Sequence, residues 1–107
     1  MKALQAIKVD DILVTAIEGG ITYWAYIVDY QPDNGYAKIR VTNDETDRLN
    51  QEFEISRAKL RRGLQLLKDS RDEGLQNIHL GIVSEDYDSS DADACLQMAI
   101  FDKVVFG

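Results

Sequence analysis

The chain has 107 residues, a formal net charge of −7 and one cysteine. That length allows one globular domain, residues 1–107, with a core that needs neither disulfide nor metal. The charge makes nucleic acid and anionic membrane unlikely partners and leaves basic protein surfaces open.

Hydrophobic residues are 45% of the chain, which excludes global disorder. Cys95 has no second cysteine to pair with, which suits a reducing compartment. The start, MKALQAIKVDD, lacks the apolar centre of a signal peptide, and no apolar run is long enough to span a membrane. The expectation is a soluble protein of the cytoplasm with no membrane partner.

Residues 1–8 read as a short lead-in, in part helical, and residues 10–18 as the first helix. Val9, Ile12, Leu13, Ala16 and Ile17 recur at helical spacing and make one apolar stripe. Asp10 suits the N-cap, with Val9 and Val14 placed as a hydrophobic staple. Gly19 and Gly20 stop the helix. Gly20 is expected to take a left-handed φ there, so that alanine would be costly.

Residues 21–30, ITYWAYIVDY, are aromatic and β-branched and read as a strand. Alternation puts Trp24, Tyr26, Val28 and Tyr30 on one face and Tyr23, Ala25 and Ile27 on the other. Two apolar faces suit a central or doubly covered strand. A helix is the competing reading for this run. Pro32-Asp33-Asn34-Gly35 is a turn signal. Residues 36–42 alternate as a half-buried antiparallel strand, and 43–50 are a polar loop. Residues 51–55 form a third strand with Phe53 and Ile55 inward.

Ser56 caps a helix over 57–69, in which Leu60, Gly63, Leu64 and Leu67 face the core. Gly63 in mid-helix implies a close approach to a sheet or another helix. Residues 70–79 carry no clear pattern, and 80–83 read as extended. After an acidic loop, 84–93, a last helix over 91–101 buries Cys95, Leu96, Ala99 and Ile100. Ser90 and Asp93 suit its capping box. The apolar tail Val104-Val105-Phe106 is expected to dock. The sum is α+β: a three-stranded antiparallel meander covered by about three helices.

Several groups are candidates for chemistry. Glu18, Gly19 and Gly20 with Tyr23 and Trp24 hold the parts of a ligand site: a carboxylate, backbone amides and stacking rings. A helix cap with core aromatics is the competing reading. Glu85, Asp86, Asp88, Asp91 and Asp93 are candidate calcium ligands, and Asp86, Asp88 and Ser90 mimic the first ligands of a calcium loop. Asp91 stands where that loop needs glycine, and Gln97 where it needs glutamate. The loop, Glu85, Asp86 and Asp88 above all, is better read as a protein-facing patch or a helix cap. Arg57, Lys59, Arg61, Arg62 and Lys68 make one helix basic, a stripe that could meet phosphate but is better read as a solvated face. His79 and Cys95 stand alone, so no metal cluster or nucleophile motif can be drawn.

Two blocks carry a family likeness: Ile17-Glu18-Gly19-Gly20-Ile21-Thr22-Tyr23-Trp24, and Asp91 to Phe101 followed by Val104-Val105-Phe106-Gly107. Together they resemble a family of small proteins from bacteriophages, prophages and other mobile elements. Asp102 departs from the glycine that often follows the phenylalanine there. The resemblance implies a setting, a phage-derived protein inside a bacterial host cell, and no particular activity. The expectation is therefore a non-enzymatic protein that binds a host protein, with inhibition of a host defence system as its most specific form. The alternatives are a binder of a nucleotide-like small molecule and a self-assembling structural protein, for instance a homodimer. Binding residues would be Glu18, Gly19, Gly20, Tyr23, Trp24, Glu85, Asp86 and Asp88, with no catalytic residue, cofactor or metal.

Overall fold

The computed structural model describes residues 2–107, with side chains from Val9 onward. In chain order the elements are α1 (Lys2–Gly19), β1 (Ala25–Gln31), a 3-10 turn (Pro32–Asn34), β2 (Tyr36–Val41), β3 (Glu52–Ile55), α2 (Arg57–Asp69), α3 (Glu73–Val83) and α4 (Ser89–Phe101). The strands form one antiparallel meander in the order β1-β2-β3. The α+β architecture is as expected from the sequence, with one helix more.

Helix α4 is the centre of the packing. Ala92 through Ala99 are buried without interruption, as a helix must be when it is covered on all sides. It lies against α1, α2, α3 and β3. Its contact with α2 is close enough to explain Gly63. A Cβ there would stand 2.5 Å from the Cys95 carbonyl oxygen and 3.1 Å from the Ala99 Cβ.

The sheet turns Ala37, Ile39, Val41 and Ile55 fully inward. Its outer face is a charge ladder. Arg40 pairs with Glu52 at 2.9 Å and Lys38 with the same carboxylate at 3.5 Å. Tyr36 donates to Glu54 at 2.7 Å, and Arg40 lies over the Tyr26 ring. Strand β1 is an edge strand, not the central one that its apolar composition suggested. Val28 has no partner between the Ile27–Ile39 and Asp29–Lys38 pairs, and this bulge shifts the alternation. Tyr30 therefore packs inward with Ala25 and Ile27, while Tyr26 and Val28 are exposed. A bulge on an edge strand also discourages pairing with another chain.

Other boundaries differ for local reasons. Helix α1 starts at Lys2, because Ala3, Leu4, Gln5 and Ala6 are good helix formers with no breaker before Asp10. Asp10 thus sits mid-helix. It is no cap, and the Val9–Val14 staple does not apply. Its carboxylate instead accepts from Arg57 Nε at 2.7 Å and Nη2 at 2.9 Å, and that hydrogen bond holds the Asp10 carboxyl below its ordinary range.

Residues 21–24 are a turn rather than strand. The amides of Trp24 and Ala25 both donate to the Ile21 carbonyl, each at 3.0 Å. The stretch read as patternless and then extended, 70–83, is mostly α3. Asp72 caps it by accepting from the Leu75 amide at 3.1 Å. Helix α4 is capped by Asp88 and Asp91, not by Ser90 and Asp93, because Asp93 is committed to the interior.

Candidate functional site

The turn that follows α1 and the start of α4 are held together by one carboxylate. Asp93 is 6% exposed. Its Oδ2 accepts from Tyr23 Oη at 2.6 Å, and its Oδ1 accepts from Trp24 Nε1 and Gln97 Nε2, both at 2.9 Å. Gln97, one turn further along α4 and fully buried, continues the network into the tail. Its Oε1 accepts from the amides of Val105 and Phe106, both at 2.8 Å, and its Nε2 also donates to the Phe106 carbonyl at 3.2 Å. The docked Phe106 ring stacks on Trp24, with centroids 5.1 Å apart and planes 14° apart.

Above this network is a cleft of about 390 Å³. It is bounded by Gly19, Gly20 and Tyr23 on one side, by Ser89, Ser90 and Asp93 on the other, and by Val104 and Phe106 of the tail. The two sequence blocks singled out above, 80 residues apart in places, meet here. Tyr23 stands half exposed at the edge, while Trp24 is fully buried beneath.

Of the glycine pair, only Gly20 is required at this corner, and not for the left-handed φ expected of it. Gly20 does not take a positive φ. Its role is steric, since a Cβ would meet the Ser89 carbonyl oxygen at 2.8 Å and the Ala16 carbonyl oxygen at 3.2 Å. Both atoms are backbone and cannot swing aside. Gly20→Ala is expected to cost about 1–3 kcal/mol by overpacking. Gly19→Ala meets only an ordinary 3.4 Å contact with the Ser89 Cβ, so it should melt close to the parent. Equal melting temperatures for the two variants would disprove this account of Gly20.

The remaining expected site residues scatter. Glu18 faces away from the cleft and accepts from Tyr30 Oη at 3.1 Å. Trp24 cannot stack on a ligand, because its ring is enclosed by Phe101 and Phe106. The proposed donation of glycine amides to an anion also fails, since the Gly20 amide already donates to the Ala16 carbonyl at 2.9 Å. Asp88 is used as a cap, while Glu85 and Asp86 lie exposed in the turn that joins α3 to α4. Among the described residues no group of side chains has metal-binding geometry.

Of the basic residues on α2, Arg57 is paired with Asp10. Lys59 donates to the Glu54 carbonyl, and Arg62 holds the Ala99 carbonyl and Asp102. Cys95 is buried, and burial pushes its thiol up to about 12. His79 lies in a separate crevice between α1, α2 and α3, where burial lowers its pKa. Among the described residues no helix is long and apolar enough to cross a membrane.

From the sequence Asp93 reads only as a calcium-loop carboxylate or a helix cap, and Gln97 only as a mismatch to that loop; their shared role in this network was missed. The signal was there: they are a polar pair four residues apart in the otherwise apolar stretch from Ala92 to Phe101, and a buried Trp and a nearby Tyr both need acceptors.

Among the described residues, Tyr23 is one of four tyrosines whose hydroxyl donates to a carboxylate from elsewhere in the chain. The others pair as Tyr30 with Glu18, Tyr36 with Glu54 and Tyr87 with Asp11. All four phenols have raised pKa values. Burial is the main cause for Tyr23, Tyr30 and Tyr87, and the Glu54 hydrogen bond for Tyr36, which is pushed up to about 12. A raised folded-state value means that the fold favours the neutral phenol. The stabilisation is complete below the unfolded value of about 10 and is lost as pH rises through the folded values. Urea midpoints are expected to hold level to about pH 9.5 and then fall steeply. A midpoint that stays level up to pH 11.5 would refute the contribution of these pairs.

No protein-family model, curated protein or solved structure matches the chain.

Proposed function

We propose that this chain is a non-enzymatic binding protein that recognises another protein through the cleft above the Tyr23–Asp93 pair. The observation that carries the reading is the contrast across the cleft. Its floor is rigid, because Asp93 and Gln97 fix Trp24 and the tail. Its rim offers exposed apolar surface, with Tyr23 51% and Val104 41% exposed. A rigid floor with an aromatic anchor at the edge suits recognition, since little ordering entropy is lost on binding.

The positions of the groups most suited to catalysis support the non-enzymatic reading. The thiol of Cys95 is enclosed, His79 is in another crevice, and Asp93 is held by three donors. The resemblance of the two blocks to phage and mobile-element proteins supports a partner from a bacterial host, with a defence component as the most specific version.

The concavity of the cleft supports a second reading, a small-molecule binder. A nucleotide-like anion suits it poorly, because Asp93 would repel phosphate.

The test is affinity capture from bacterial lysate with the parent and with Tyr23→Ala, whose fold is checked by thermal melting. The expected result is a protein retained by the parent and lost with the variant. Repeated capture with nothing above background, or equal retention by both forms, would end the proposal.

A further inference from the structure

The cleft has an electrostatic asymmetry that specifies its ligand. Asp93 is more than nine-tenths buried, and its donors, Tyr23, Trp24 and Gln97, are all neutral. Among the described residues no ion pair includes it, and no Lys, Arg or His lines the cleft. A buried carboxylate without a countercharge is costly to keep, even when its hydrogen bonds are made. The surroundings add negative potential. Gly19 and Gly20 mark the C-terminal end of α1, where the helix dipole favours a cation. The opposing N-terminal end of α4 would favour an anion, but Asp88 and Asp91 already occupy it as its capping box. The half-exposed ring of Tyr23 supplies a face on which a cation can rest.

We propose that this cleft binds a guanidinium or ammonium group, set against the Tyr23 ring and the Asp93 carboxylate. The net charge of −7 would steer such a ligand toward the protein. The group comes either from an arginine or lysine side chain of a partner or from a free amine. This inference rests on the reading of the cleft as a binding site and adds the chemistry of what enters it.

Trp24 provides the reporter, because its indole N–H is bonded to the same carboxylate. The experiment follows that resonance by NMR while N-acetyl-arginine methylamide, ethylguanidinium or spermidine is added at constant ionic strength, with sodium chloride and sodium phosphate as controls. A saturable shift with the cations and none with the controls is the expected result. Stronger response to the arginine derivative points to a partner's side chain, and stronger response to spermidine to a free amine.

Asp93→Asn should abolish the shift. Because that variant risks misfolding, Gly19→Lys is the second test. It puts an ammonium at the mouth of the cleft, where Gly19 has room, and leaves the network intact. It should weaken the response to every cationic probe. If no cation produces a saturable shift, or if Gly19→Lys binds the probes like the parent, the inference is overturned. Loss of protein capture by Gly19→Lys without any cation response would overturn the cation alone and leave the binding reading standing.

Discussion

Trp24→Ala is expected to remove a large share of the domain's stability. Trp24 is the largest fully buried side chain among the described residues. Its ring stacks on Phe106 and tilts against Phe101 at 5.6 Å. Truncation opens a cavity in the middle of this aromatic group and costs about 3–5 kcal/mol by comparison with similar core deletions. It also leaves Asp93 with one donor fewer in a buried setting. Against a total stability of roughly 5–15 kcal/mol, that is a large share.

Trp24→Phe is a milder change. It keeps one aromatic ring against Phe106 but loses the indole N–H and the volume of the second ring, so it should cost about 1–3 kcal/mol, less than the alanine variant. Urea denaturation of both variants measures this. If the alanine variant proves as stable as the phenylalanine one, the aromatic stack does not hold the fold as described.

The outline of this fold was legible where the local signals were strong. Ser56 caps α2 as expected, with its side chain accepting from the Lys59 amide. The strand alternation of Tyr36–Val41 appears residue by residue in its burial. Gly63 sits where another helix crosses.

What escaped was decided at long range. The aromatic run at 21–30 looked central because both its faces are apolar, yet the bulge at Val28 and the turn at Ile21–Trp24 divide those residues between core and solvent. Helix α3 was hidden because its apolar residues Leu75, Ile78 and Ile82 share the segment with Leu80 and Val83, which are exposed. The candidate site was half legible. Gly19, Gly20 and Tyr23 were identified from their own block, but Asp93 is 70 positions from Tyr23. An aspartate near a helix start reads as a cap until the indole and phenol that need it are placed in space.

Gln97→Met should release the tail. Methionine preserves the length and apolar packing of the side chain but makes none of its hydrogen bonds. The amides of Val105 and Phe106 and the Phe106 carbonyl would then be buried without partners, at roughly 1–3 kcal/mol for each group. The tail has a cheaper course, which is to lift off and expose those groups to water. The loss is then the burial of the Phe106 ring, about 1.5–3 kcal/mol, together with one donor to Asp93. The total is expected to be about 2–4 kcal/mol, set by undocking rather than by orphaned polar groups.

Two measurements check this. Hydrogen exchange at the Val105 and Phe106 amides should rise toward that of open chain, while the interior of α4 stays protected. In a double-mutant cycle, Gln97→Met and Phe106→Ala should cost much less together than the sum of their separate effects, because either one already frees the tail. Additive costs, or tail amides as protected in Gln97→Met as in the parent, would show that Gln97 does not fasten the tail and that the floor of the cleft is held by other contacts.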